Sequence, residues 1–240
     1  MHRFHEQQPF RKDEPVTLSP EVAHHLVRVL RTRKGEEIVV FNGEGGEWRA
    51  RVEEADRRQV TITPLAFNPE DRMPALHVTV ALPLIKGERM DYALQKATEL
   101  GVAEFRPLMT ERTEVRLDQR RLEKKMLHWK RVIVSACEQC GRNRIPLLHE
   151  PATLTKFLQE AQPAGWIACA DGGTPADALP SADARTLTIL TGPEGGFSAA
   201  EHAQAEGAGL RPVRLGQRIL RAETAPTVML AALWALRGEG

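Results

Sequence analysis

No stretch of this sequence stays apolar for the length a bilayer demands, and Met1-His-Arg-Phe-His5 lacks the apolar core of a secretory signal. Cysteine is scarce. Cys137, Cys140 and Cys169 are an odd set, which argues against a disulfide framework and points to a soluble protein of the reducing cytoplasm, with no membrane partner. An excess of charge of one sign is also missing: 33 Lys and Arg against 32 Asp and Glu leave a net +1, so the chain as a whole is not selected for nucleic acid. The common phosphate signatures are absent as well. There is no G-x-x-x-x-G-K-[ST], and Gly192-Pro-Glu-Gly-Gly196 lacks the G-x-G-x-x-G spacing. The glutamate in that loop would repel phosphate, whereas a hydroxylated sugar, an amine or a cationic centre would be compatible with it.

What is present is a chain of 240 residues, 42% hydrophobic, enough for one large domain or a large and a small one. Its most unusual stretch runs from Thr186 to Glu223. Thr186-Leu-Thr-Ile-Leu190 has the composition of a buried strand and stops at Thr191-Gly-Pro-Glu-Gly-Gly-Phe197. Three glycines in five residues let the backbone present its own polar groups to a ligand at close range, and a side chain at Gly195 is expected to fill ligand space. A tight structural corner would also use glycine there. Ser198-Ala-Ala-Glu201 then forms a capping-box pattern that opens a helix. A second arm repeats the order: Pro212-Val-Arg-Leu215 as a strand, a loop from Gly216 to Thr224, and an apolar helix from Val228 to Leu236, with Pro226 tolerated in its first turn.

Earlier in the chain, residues 1–70 predict a small barrel-like β domain with one helix. Ser19 is its N-cap, Pro20 its first residue, and Val22, Leu26, Val29 and Leu30 its apolar stripe. Strands are predicted at Glu37–Phe41, Glu47–Val52 and Gln59–Thr63. Asn68-Pro-Glu-Asp-Arg-Met-Pro74 is the linker. Over 74–240 strands alternate with helices: His77–Leu82, helix Glu88–Leu100, strand Glu104–Met109, a long helix from Asp118 to Gly141, then strands Trp166–Ala170 and Leu187–Leu190. Such alternation predicts an α/β domain with a largely parallel sheet covered on both faces. From Arg106 to Arg144, eleven Lys and Arg face five acids. A phosphate backbone selects for such a local excess, although a solvated helix face is the commoner source of any one charge run. Cys137-x-x-Cys140 has no second ligand pair at zinc spacing, so core thiols rather than a metal site are expected.

Leu190–Phe197 together with Leu215-Gly-Gln-Arg-Ile-Leu-Arg-Ala-Glu-Thr-Ala225 resembles the paired signatures of the RsmE family of SPOUT-class methyltransferases. Lys86–Gly101, Arg112–Arg116 and Ala136–Arg142 extend the resemblance over nearly the whole chain. It implies an N-terminal PUA-like RNA-binding domain, a trefoil knot at the carboxyl end and a homodimer. It also implies S-adenosylmethionine-dependent methylation of N3 of a uridine in 16S ribosomal RNA of the small subunit. Leu190, Thr191, Gly192, Pro193, Glu194, Gly195, Gly196, Leu215, Gly216, Ile219 and Leu220 are then assigned to the cofactor. Arg221 would stabilise charge on uracil, and Glu223 would orient the base or accept a proton. Arg28, Arg31, Arg112, Arg116 and Arg142 would meet RNA. Salt bridges within loops or at helix ends compete for Arg221, Glu223, Arg112 and Arg142. A non-catalytic RNA-binding assembly factor, or a methyltransferase acting on a transfer RNA ribose hydroxyl, would carry the same architecture.

Overall fold

The computed structural model describes residues 1–56, 59–115, 118–161 and 164–238. It divides into two units, Met1–Met73 with Cys137–Ile145, and Pro74–Ala136 with Pro146–Gly240.

In the first unit, β1 (Arg3–His5), β2 (Val16–Thr17), β3 (Glu37–Phe41), β4 (Glu47–Ala55) and β5 (Val60–Asn68) form one curled sheet in the order β1-β3-β4-β5-β2. The β1–β3 pair is parallel and the other pairs are antiparallel. Alternation along β3 and β4 turns Ile38, Val40, Ala50 and Val52 into a core shared with Phe4, Leu26 and Ile62. Helix α1 (Pro20–His24) begins at the predicted proline, but the Ser19 side chain does not cap it; the Ser19 N–H donates to Glu6 Oε2 at 2.7 Å instead. After His24 the helix widens into a π-helical segment, His25–Leu30, ended by Arg31 at φ 54°. That wide turn keeps Leu26 fully buried, worth about 1.5–3 kcal/mol, while Arg28 and Val29 face solvent.

Residues 137–145 join this unit through polar bonds that local patterning cannot reveal. Arg3 Nη2 donates to Asn143 Oδ1 at 2.6 Å, Asn143 Nδ2 to the Glu70 carbonyl at 2.8 Å and Arg72 Nη1 to the Gly141 carbonyl at 2.9 Å. Arg144 pairs with Asp71. Cys137 is fully buried, and burial pushes its thiol up to about 12, so it is an inert core residue; Cys140 is half-buried.

The second unit is a parallel sheet of β6 (His77–Pro83), β7 (Glu104–Met109), β8 (Leu147–Leu148), β9 (Ala152–Thr153), β10 (Gly165–Gly173), β11 (Thr186–Leu190) and β12 (Leu210–Val213). Its order is β12-β10-β11-β6-β7-β8, with β9 also on β7. Around it are α2 (Glu88–Glu99), α3 (Gln119–Cys140), α4 (Leu154–Ala161), α5 (Ala199–Gly207) and α6 (Ala225–Arg237); the last residues of α3 are those counted with the first unit. The core between α4, α5 and the sheet holds Phe157, Leu158, Ile167, Leu190 and Ala205. No helix among the described residues is long and apolar enough to cross a membrane.

Boundaries differ from expectation at several elements: β4 and β5 run on to Ala55 and Asn68, and β10 to Gly173. The last strand ends at Val213, not Leu215, because its length is set by pairing with β10 from Gly165↔Leu210 to Ala168↔Val213. α6 starts at Ala225 with Pro226 in its first turn, where a missing N–H costs nothing.

Candidate functional site

Adjacent parallel strands β10, β11 and β12 end on one edge of the sheet, and the loops leaving them wall a cavity of about 680 Å³. Gly192, Pro193, Glu194, Gly195 and Gly196 form one wall. Leu215, Gly216, Ile219, Leu220 and Arg221 form another. Leu190 and Thr191 stand behind these walls at 0% exposure, with the Thr191 N–H donating to the Ala81 carbonyl at 2.9 Å; they support the loop rather than line the cavity.

Gly196 and Gly216 hold φ of +67° and +89°, and a Cβ built on either meets no atom within 4 Å. Both therefore adopt a left-handed backbone that side chains resist, and both leave room where a side chain would project. Gly195 differs. A Cβ there would lie 3.3 Å from Cβ and Cδ of Arg112, so the space expected for ligand is taken by an arginine stem. The capping box after the loop forms as its pattern requires: Ser198 Oγ accepts from the Glu201 N–H at 3.2 Å, and Glu201 Oε2 accepts from the Ser198 N–H at 2.9 Å.

Charge is concentrated at this cavity, although the whole chain is nearly neutral. Arg89, Arg214, Arg218 and Arg221 line it against Asp171 and Glu194. Arg89 Nη1 pairs with Glu194 Oε1 at 2.9 Å, so that carboxylate faces an arginine rather than the start of α5. Arg221 is largely exposed, its side chain at 80%. Glu223 is buried, with one carboxylate oxygen lacking a hydrogen-bond partner and the other 4.0 Å from Arg221 Nη1. Glu223 does not line the cavity.

Of the arginines expected at RNA, Arg28 and Arg31 are exposed beside Val29, itself 63% exposed, and beside Arg33 and Lys34. Arg112 is exposed and donates from Nη1 to the Gly195 carbonyl at 2.6 Å. Arg116 lies outside the described residues. Arg142 requires a correction. It is only 4% exposed, and burial pulls its pKa below the ordinary guanidinium value, so this structure does not present it to a phosphate.

The sequence did not single out the end of β10, where Ala168, Cys169, Ala170 and Asp171 line the cavity, nor Arg89, Arg214, Arg218 and His202. Strand β10 was predicted, but its place beside β11 is a long-range register. Arg89 did carry a signal, since it stands inside the Lys86–Gly101 motif.

A sequence profile of the RNA methyltransferase domain matches residues 72–234, and one of the RNA methyltransferase PUA domain matches residues 18–65. Ribosomal RNA small subunit methyltransferase E of Synechocystis is 37% identical over 92% of this chain and 73% of its own length. Two solved structures share the fold over both chains. A Legionella pneumophila protein, described as a methyltransferase and solved with the cofactor SAM, is 37% identical with TM-score 0.93, covering 97% and 96%. Ribosomal RNA small subunit methyltransferase E of Neisseria gonorrhoeae, bound to S-adenosyl methionine, is 32% identical with TM-score 0.90, covering 98% of each chain. The parallel sheet flanked by helices is of the SPOUT type, and the curled N-terminal sheet is a PUA domain. From profile, sequence and fold together, the chain belongs to the RNA methyltransferase family that includes the ribosomal RNA small subunit methyltransferase E proteins.

Proposed function

We propose that the protein methylates N3 of a uridine in 16S ribosomal RNA, with S-adenosylmethionine held in the cavity at the ends of β10, β11 and β12. One observation carries this reading: a glycine-walled cavity of about 680 Å³ with four arginines at its wall, in a chain of the RNA methyltransferase family. The residues fit the cofactor. Open space at Gly196 and Gly216 admits its close approach to the backbone, Leu215 and Leu220 offer apolar contact to adenine, and Asp171 and Glu194 supply acceptors for hydroxyl or ammonium groups.

When bound, the cofactor brings a methyl group on a cationic sulfur that is already a good leaving centre, so the chain supplies orientation and electrostatics. The uridine is the more demanding reactant. Its N3 carries an imide proton that ionises in roughly the range of a tyrosine hydroxyl. Arg221, with Arg214 and Arg218 close by on the same loop and open to water, stabilises the negative charge left on the uracil carbonyls when the N3 proton passes to solvent. Glu223, set back from the cavity, serves to orient Arg221. The basic surface at Arg28 and Arg31 docks the RNA backbone.

The protein works as a cytoplasmic homodimer in this reading. α6 leaves Ala231, Ala235 and Leu236 exposed, and Val228 and Ala232 half-exposed, an apolar stripe at helical spacing suited to a second copy. Sedimentation equilibrium that returns the mass of a single chain would remove the dimer.

The function is tested in two steps. Titration of labelled S-adenosylmethionine into purified protein must saturate; no binding removes the enzyme. Methylation mapping of small-subunit RNA from cells lacking the protein must show one uridine without its N3 methyl; unaltered RNA removes the target.

A further inference from the structure

The glycine loop is tied to a segment distant in sequence. Thr110 to Glu114, just after β7, is held in a tight turn by the Thr110 N–H donating to Thr113 Oγ1 at 3.0 Å and by the two threonine hydroxyls at 2.8 Å. One bond joins that turn to the loop after β11 and another to the first turn of α5, which follows that loop. The Glu111 N–H donates to Glu201 Oε1 at 2.8 Å, using the carboxylate oxygen that the capping box leaves over. Arg112 Nη1 donates to the Gly195 carbonyl at 2.6 Å, and its aliphatic stem lies where a Gly195 side chain would stand. Glu114 is tied in turn by Lys86 Nζ at 2.6 Å, and Arg89 in α2 pairs Glu194.

We infer that Arg112 is a positioning residue for the cofactor loop and not the phosphate contact its charge implied; the inference rests on the cofactor site proposed above. Three glycines in five residues give the loop many conformations, only one of which is shaped to the ligand, and ordering it costs free energy at every binding event. A guanidinium fixed on the Gly195 carbonyl removes part of that cost in advance. The absence of a Gly195 side chain serves this contact, by letting the arginine stem reach the backbone.

The test compares Arg112→Met, which keeps the stem and removes the donors, with Arg112→Lys, which restores one cationic donor to a single acceptor. Calorimetry with S-adenosylmethionine and no RNA should show Arg112→Met binding roughly tenfold more weakly, the loss expected of a charge-assisted bond discounted for exposure. Arg112→Lys should recover most of the affinity. A small-subunit RNA transcript titrated over salt should give the same slope for wild type and Arg112→Met, because no phosphate contact is lost. Wild-type cofactor affinity in Arg112→Met overturns the inference, and so does a slope shallower by about 0.7, the signature of one lost phosphate contact on a single strand. Should Arg112→Met not fold, Gly195→Ala reports in its place: its methyl group meets the Arg112 stem, so affinity must fall, and unchanged affinity overturns the inference. Wild-type protein that fails to bind S-adenosylmethionine sinks the proposed function itself, whereas an unaffected variant beside a binding wild type sinks only the role of Arg112.

Discussion

A valine at Gly216 would be forced into φ near +89°, a conformation that costs a side-chain-bearing residue about 1–2 kcal/mol, and it would project where no atom now lies within 4 Å. The strain is local, because Gly216 is exposed on a loop, so the melting temperature should fall by only a few degrees. The added bulk has a second effect, because Gly216 lines the cavity. Gly216→Val is therefore expected to weaken S-adenosylmethionine binding by more than about tenfold, read by calorimetry; near-wild-type affinity would show that the cofactor does not approach this backbone. At this scale much was legible. Gly192 to Gly196 and Gly216 were visible as cavity walls because glycine density and strand endings are local signals. The second neighbour of Gly195 was not legible, since Arg112 lies 83 residues away and no spacing rule connects them.

A polar cluster at the amino ends of β6 and β7 ties part of the second unit together, away from the cavity. Glu104, at the start of β7, accepts from His77 Nε2 at 3.0 Å and from His149 Nε2 at 2.9 Å, which ties β6, β7 and the turn after β8 together. Burial opposes ionisation of Glu104, but the bonds and charge from His149 and then His77 outweigh it and hold the carboxyl below its ordinary value of 4.5. A carboxylate lowered on folding adds stability above its unfolded value and loses it as pH falls through the folded one. Wild type should therefore lose melting temperature as pH drops below about 4.5, and Glu104→Gln should lose less over that window. Parallel pH-melting curves for the two proteins would remove Glu104 from the account. This cluster and the end of β10 were both illegible for one reason. Strand type is written in local alternation, whereas strand neighbours are set by pairings such as Thr79↔Glu104 and Trp166↔Ile189. The capping box of α5 spans only four residues, and it was legible in full.

Across the whole molecule, a net charge of +1 gives no general attraction for RNA, so affinity must come from local patches. The excess of basic residues between Arg106 and Arg144 was one candidate, but Arg142 is buried and Arg112 is bound to the Gly195 carbonyl. The first unit offers a clearer surface, where the π-helical turn and the left-handed Arg31 leave Arg28, Arg31, Arg33 and Lys34 exposed in a seven-residue span. If Arg28 and Arg31 each neutralise one phosphate, reversing both charges removes two contacts and adds repulsion. The slope of log K against log salt for a single-stranded target should then become shallower by at least about 1.4. Among the described residues, those lining the cavity proposed for the cofactor belong to the second unit, so Arg28→Glu with Arg31→Glu should leave S-adenosylmethionine affinity at the wild-type value. A filter-binding titration from low to high salt and a calorimetric cofactor titration on the same variant separate the possibilities. An unchanged slope assigns the RNA surface elsewhere, and a joint loss of RNA and cofactor binding indicates misfolding rather than lost docking.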